Sequence, residues 1–104
     1  MARITLKGKE YPYAVTFSAI ASYLEMVGED SAEGLAAFYQ LPPSRYPAFI
    51  TACVNEGLKE EGSEVRLTAD EVATASIMEV GNAAAVLFQA MLPKSTPEED
   101  KKKD

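Results

Sequence analysis

Between residues 4 and 27 (ITLKGKEYPYAVTFSAIASYLEMV) the spacing of apolar side chains changes period. Apolar residues alternate at Ile4 and Leu6 and again at Tyr11, Tyr13 and Val15, on either side of a polar Lys7–Glu10 stretch. From Phe17 onward the apolar positions fall three and four apart. Alternation places one face of a strand against a core, and three-four spacing does the same for a helix. A short hairpin running directly into a helix is therefore predicted, and this limits what the remaining chain can be.

The hairpin spans 3–15. With Gly8-Lys9 as a two-residue type II′ turn, Lys7 faces Glu10, Leu6 faces Tyr11 and Ile4 faces Tyr13. Pro12 lacks an N–H and suits an exposed strand edge. A two-stranded ribbon is marginal alone, so helices must support it.

Four helices are predicted after it, at about 17–27, 31–40, 45–61 and 69–92. The first carries Phe17, Ile20, Ala21 and Leu24, widened by Tyr23, Met26 and Val27, which suggests a central position. Thr16 or Ser18 caps its start, and Gly28 ends it. Asp30 with Glu33 resembles a capping box for the second, which turns Leu35, Phe38 and Tyr39 inward until Leu41-Pro42-Pro43 stops it. Ser44 caps the third, with the stripe Tyr46, Phe49, Ile50, Cys53, Val54 and Leu58, and Gly62 closes it. A polar loop over 62–67 follows, where Val65 and Leu67 allow a brief extended stretch. Thr68 and Glu71 form a capping box for the fourth helix. The fold class is thus mainly α, a small helical domain over 1–92, followed by a charged tail 93–104 that has no apolar side chain and is expected to be disordered.

At 1.5 Å per residue the fourth helix would reach about 36 Å, long for one edge of so small a domain. It bears two apolar stripes. Ala73, Ile77, Val80, Ala84, Leu87 and Met91 make one, assigned to the core. Met78, Gly81, Ala85, Phe88 and Leu92 make the other. Both cannot face one small core, so the second stripe is the candidate partner-binding surface. The alternative is that the hairpin and first helix cover it.

Charge and residue usage remove several function classes. The chain has 104 residues, no His, one Cys and a net charge of -6. Opposite charges balance in 93–104, so the excess lies in 1–92, six basic residues against twelve acidic ones. Nucleic-acid binding needs a basic face to displace counterions, and none is present. Lack of His removes the commonest general base and metal ligand. Cys53 lies inside an apolar stripe and reads as a buried thiol. Glu56, Glu60, Glu61 and Glu64 lack the regular oxygen spacing of a calcium loop and read as a solvated acidic face. Gly28-Glu29-Asp30 and Gly8-Lys9 match no phosphate-cradling loop. The tyrosines fall mostly on apolar stripes, as core aromatics do. No catalytic, cofactor or metal site is therefore expected. MARITLKGKE has no apolar h-region, and the run 83–92 is too short to span a bilayer, so a cytoplasmic protein without membrane contact is expected.

Gly8-Lys9-Glu10-Tyr11, then Val15-Thr16-Phe17 entering a helix that carries Leu24-Glu25, followed by capped helices to Leu92, resembles the tail assembly chaperones of long-tailed bacteriophages and prophages. The resemblance implies a non-enzymatic assembly factor in the bacterial cytoplasm. Its implied partners are the tape measure protein and the tail tube protein, with homo-oligomer formation also expected. It further implies a longer frameshifted form, for which Lys101-Lys102-Lys103 offers a slippery codon run. A small helical connector of the phage particle and a host acidic adaptor or regulator are the alternatives.

Overall fold

The computed structural model describes residues 2–91 of the chain. Expectations for the Tyr39 side chain, for Leu92 and for the tail 93–104 lie outside the described residues. Two antiparallel strands, β1 (Arg3–Leu6) and β2 (Lys9–Pro12), open the fold. Five α-helices follow among the described residues: α1 (Phe17–Met26), α2 (Ala32–Ala37), α3 (Tyr46–Glu60), α4 (Ala69–Ala73) and α5 (Ile77–Ala90). The domain is mainly α with an N-terminal hairpin, as predicted.

The hairpin register differs from the predicted one. Leu6 pairs with Lys9, Thr5 with Glu10, Ile4 with Tyr11 and Arg3 with Pro12. The turn is Lys7-Gly8, with φ of 54° and 79°. Positive φ at both central residues is type I′, which matches strand twist as well as type II′ does, and Gly8 takes the second position without strain. Each residue meets a partner two places from the predicted one, so every side chain keeps its face. Ile4 and Leu6 are buried accordingly.

α3, and not α1, is the central element: it contacts α1, α4, α5 and β2. Phe49, Ile50, Cys53 and Val54 are wholly buried, with Thr51, Ala52, Gly57 and Leu58 beside them. α1 buries only Ala19, Tyr23 and Leu24. Phe17 is 76% exposed because it is the first residue of that helix, where the chain has not yet turned onto the core. Thr16 caps α1 by accepting from the Ala19 N–H, and Gly28 and Gly62 end α1 and α3 in paired i+5 and i+3 backbone hydrogen bonds.

Four other expectations are corrected. Ser31, not Asp30, caps α2, accepting from the Gly34 N–H at 3.0 Å, and the helix tightens into a 3-10 turn at Phe38–Gln40. Ser44 caps nothing, because a 3-10 turn at Pro43–Arg45 feeds straight into α3. The stretch at Val65–Leu67 forms no strand: Leu67 is held by the Asn55 side chain, which donates to its carbonyl at 3.0 Å and accepts from its N–H at 2.8 Å.

The predicted helix 69–92 breaks in two. Thr68 and Glu71 form the expected capping box, but α4 stops after Ala73. Ser76 adopts an extended conformation and caps α5 by accepting from the Glu79 N–H. The Thr74 hydroxyl meanwhile donates to the Glu71 carbonyl. Serine and threonine offer the backbone these local alternatives to a continuous helix, and the break lets α5 set out in a new direction.

One close approach sets how the hairpin meets the helices. A Cβ on Gly57 would lie 2.6 Å from Tyr13 Cα and 2.7 Å from the Pro12 carbonyl carbon. Nearby the Ala14 N–H donates to the Cys53 carbonyl at 3.0 Å. Gly81 contrasts with it, having nothing within 4 Å of the same ideal position. Gly57→Ala is therefore expected to destabilise the fold by about 2 kcal/mol or more through backbone overlap. Gly81→Ala should stabilise it by up to about 1 kcal/mol through helix propensity. Urea denaturation of both variants checks the opposite signs.

Candidate partner-binding surface

α5 begins at the Ser76 cap, and its inward face is set by Ala83, Ala84 and Leu87, all buried. Opposite them lie Met78, Gly81 and Ala85, all exposed, with Met78 at 68%. Asn82 and Val86 continue this outer face. Three of the predicted partner residues thus come together on one open helical surface.

Phe88 does not join them. Its ring stacks on Phe49 with centroids 5.1 Å apart and meets Tyr46 edge-on at 5.8 Å. Phe49 in turn contacts Phe38 and Tyr23. Half-buried Phe88 therefore belongs to an aromatic core, linking Phe49 to Tyr46, because a large apolar ring gains more from these neighbours than from water. Leu92, the fifth candidate, lies outside the described residues.

The stripe assigned to the core needs correction as well. Ala84 and Leu87 are buried, and Val80 and Met91 are half-buried against the core. Ala73 and Ile77 are exposed, Ile77 at 86%. The break at Thr74–Ser76 separates Ala73 from the rhythm of α5 and leaves Ile77 at a helix start. Ala83, on neither predicted stripe, is buried against the core.

A shallow apolar groove of about 400 Å³ opens where α5 ends, lined by Val15, Phe17, Ile20, Leu35, Ala90 and Met91 among others. At the opposite end of α5, Glu79 grips the hairpin turn. Its carboxylate accepts from the Lys7 N–H at 2.9 Å and the Gly8 N–H at 3.4 Å. The Lys7 ammonium donates to the Thr74 hydroxyl at 2.8 Å. Sequence periodicity carries no signal for this contact, since it joins residues 67 to 72 positions apart.

Several polar side chains among the described residues hold the chain together. Arg45 donates to both carboxylate oxygens of Glu29, at 3.1 and 3.2 Å, and to the Tyr23 hydroxyl at 3.4 Å. These bonds, to Glu29 first, hold its guanidinium well above its ordinary pKa. Within the acidic group near the end of α3, Glu61 accepts from Arg3 at 2.8 Å. Among the described residues no three His, Cys, Asp or Glu side chains are placed to hold a metal ion, and no helix is long and apolar enough to cross a membrane. Comparison with protein-family models, with curated proteins and with solved structures finds no match for this chain.

Burial, with a smaller contribution from the charge of Glu56, pushes the Cys53 thiol from its ordinary 9.0 up to about 12. Native Cys53 should therefore react with a polar thiol reagent at least about a hundredfold more slowly than in denaturant. The raised pKa also means that Cys53 favours the folded state fully below about pH 9 and loses that contribution as pH rises toward 12. Cys53→Ala should remove this part of the alkaline decline in stability. Glu79→Ala should cost about 1 kcal/mol and accelerate amide exchange at Lys7 and Gly8, whereas exchange across α3 should change only in proportion to global stability.

Proposed function

We propose that this chain is a non-enzymatic assembly chaperone of the long-tailed phage type, acting in the bacterial cytoplasm on a tape measure protein and assisting addition of tail tube protein. The observation that carries the reading is the open face of α5, where Met78, Gly81 and Ala85 lie together in solvent. Small residues at Gly81 and Ala85 allow another helix to approach closely, and the methionine at 78 adapts to varied apolar partners. This is the chemistry of helix-against-helix capture.

Two further features support it. The hairpin-to-helix layout is the one on which the resemblance rests. The acidic excess in 1–92 opposes self-precipitation of a protein that keeps apolar surface exposed.

The test is co-purification with a tape measure fragment encoded by the same phage or prophage. Met78→Asp with Ala85→Asp should weaken capture by about tenfold or more while leaving the helical circular dichroism intact, since both positions are solvent-facing. Leu87→Asp should instead unfold the domain, because Leu87 is fully buried and an unpaired carboxylate there is costly. Unchanged capture by the double variant would remove the α5 face from the proposal. Finding the chain at fixed copy number in finished virions would favour a structural connector.

A further inference from the structure

The two outer edges of the hairpin differ. The Tyr13 N–H donates to the Ala2 carbonyl at 3.3 Å, and hydrogen-bonded pairs alternate along an antiparallel ladder. Ile4–Tyr11 and Leu6–Lys9 are therefore the bonded pairs of the register, and Arg3 and Thr5 direct their N–H and C=O groups away from β2. Glu10 and Pro12 do the same on the outer edge of β2. That second edge is closed at Pro12, which has no N–H, is buried and lies on Gly57 of α3.

The outer edge of β1 has no such cover. No described residue is hydrogen-bonded to the Arg3 or Thr5 N–H, and both residues are exposed. Arg3, Ile4 and Thr5 line a groove of about 280 Å³, with Asn82, Ala83 and Val86 of α5 on its other wall. Successive strand residues alternate faces, so three in a row share a groove only where it runs along the strand's edge.

Charged side chains are a usual protection of open edges. Here those beside the groove are already engaged. Arg3 pairs with Glu61 at 2.8 Å, and the Glu79 carboxylate accepts from the Lys7 and Gly8 N–H groups. Between them Thr5, Asn82, Ala83 and Val86 are uncharged, and Val86 is 40% exposed.

We propose that β1 takes up an extended, uncharged segment of a partner protein as a third strand, lying between β1 and α5. Its backbone pairs with Arg3 and Thr5, and its alternate β-branched side chains face Ala83 and Val86. A second copy is the poorer occupant, because its own β1 edge has α5 alongside it and two acidic chains repel. The groove shares Asn82 and Val86 with the outer face of α5, but not Met78, Gly81 or Ala85, and does not depend on the chaperone reading. An edge left in water merely because it is short would show the same groove but no preference among the amides of a peptide.

The experiment uses the full chain and three fluorescent peptides. One is Ser-Thr-Val-Thr-Val-Thr-Ser, and the others carry N-methyl groups on the threonines only or on the valines only. In an added strand alternate N–H groups face β1 and the rest face away. Anisotropy should show saturable binding of the unmethylated peptide. One methylated set should weaken it by at least about tenfold, and the other by less than about twofold. The Arg3 and Thr5 amides should become protected from exchange on binding. Thr5→Pro removes an edge donor without breaking a pair to β2, and should weaken binding by about tenfold with unchanged circular dichroism. If that variant fails to fold, Val86→Glu at an exposed helix position decides by the same loss. Met78→Asp with Ala85→Asp should leave peptide binding unchanged, which separates this proposal from capture on the α5 face. The proposal is overturned by no saturation up to about 1 mM peptide, a range ordinary for weak complexes, by equal effects of the two methylated sets, by loss of binding in that double variant, or by protection that omits Thr5. Concentration-dependent protection of Thr5 without peptide would assign the edge to a second copy, and would overturn it too.

Discussion

The structure depends on the absence of one side chain. Gly57 lets the Pro12–Tyr13 backbone lie directly on α3, closer than any Cβ would permit. That approach brings the Ala14 N–H to the Cys53 carbonyl and aligns the inward face of the hairpin with the core. A two-stranded ribbon has little stability alone. It persists here because it is fixed at both ends. Gly57 and the Arg3–Glu61 pair hold it to α3, and the Glu79 carboxylate holds its turn. The Glu79 contact in turn requires α5 to start where it does, so the break after α4 and the seating of the hairpin belong to one arrangement.

The aromatic cluster built on Phe49 determines how much of α5 remains open. Phe38, Tyr23 and Phe88 all pack on that ring, and Tyr46 extends the group through Phe88. Phe88 thereby anchors the far half of α5, and Ala83, Ala84 and Leu87 complete its buried side. What stays outside is a mixed face on which Met78, Gly81 and Ala85 lie beside Asn82 and Val86. That face is an open helical surface, a geometry that differs from an enclosed ligand cavity.

The protein is acidic overall, and its two arginine–carboxylate pairs serve internal contacts. Lys7 and Lys9 at the hairpin tip, like Lys59 and Arg66, stay outside ion pairs among the described residues.

Much of the architecture was legible from residue order, and the reason is local. The change of apolar period at Phe17, the Thr16 and Thr68 caps, the closures at Gly28 and Gly62 and the inward stripe of α3 all arise from neighbours within a few positions. The candidate surface was legible in part: Met78, Gly81 and Ala85 are open, as periodicity implied, but Phe88 is not. Tertiary contacts alone decided that Phe88 completes an aromatic core and that α3 rather than α1 lies at the centre, whereas the division of the last helix at Thr74–Ser76 rests on local Thr74 and Ser76 hydrogen bonds that apolar periodicity does not register. The hairpin turn occupies the boundary case, since either Gly8-Lys9 or Lys7-Gly8 satisfies local turn chemistry and both keep Ile4 and Leu6 inward. Long-range partners entered only on folding, when Gly57, Glu79 and Lys7 met residues dozens of positions away, and no window of sequence contains such meetings.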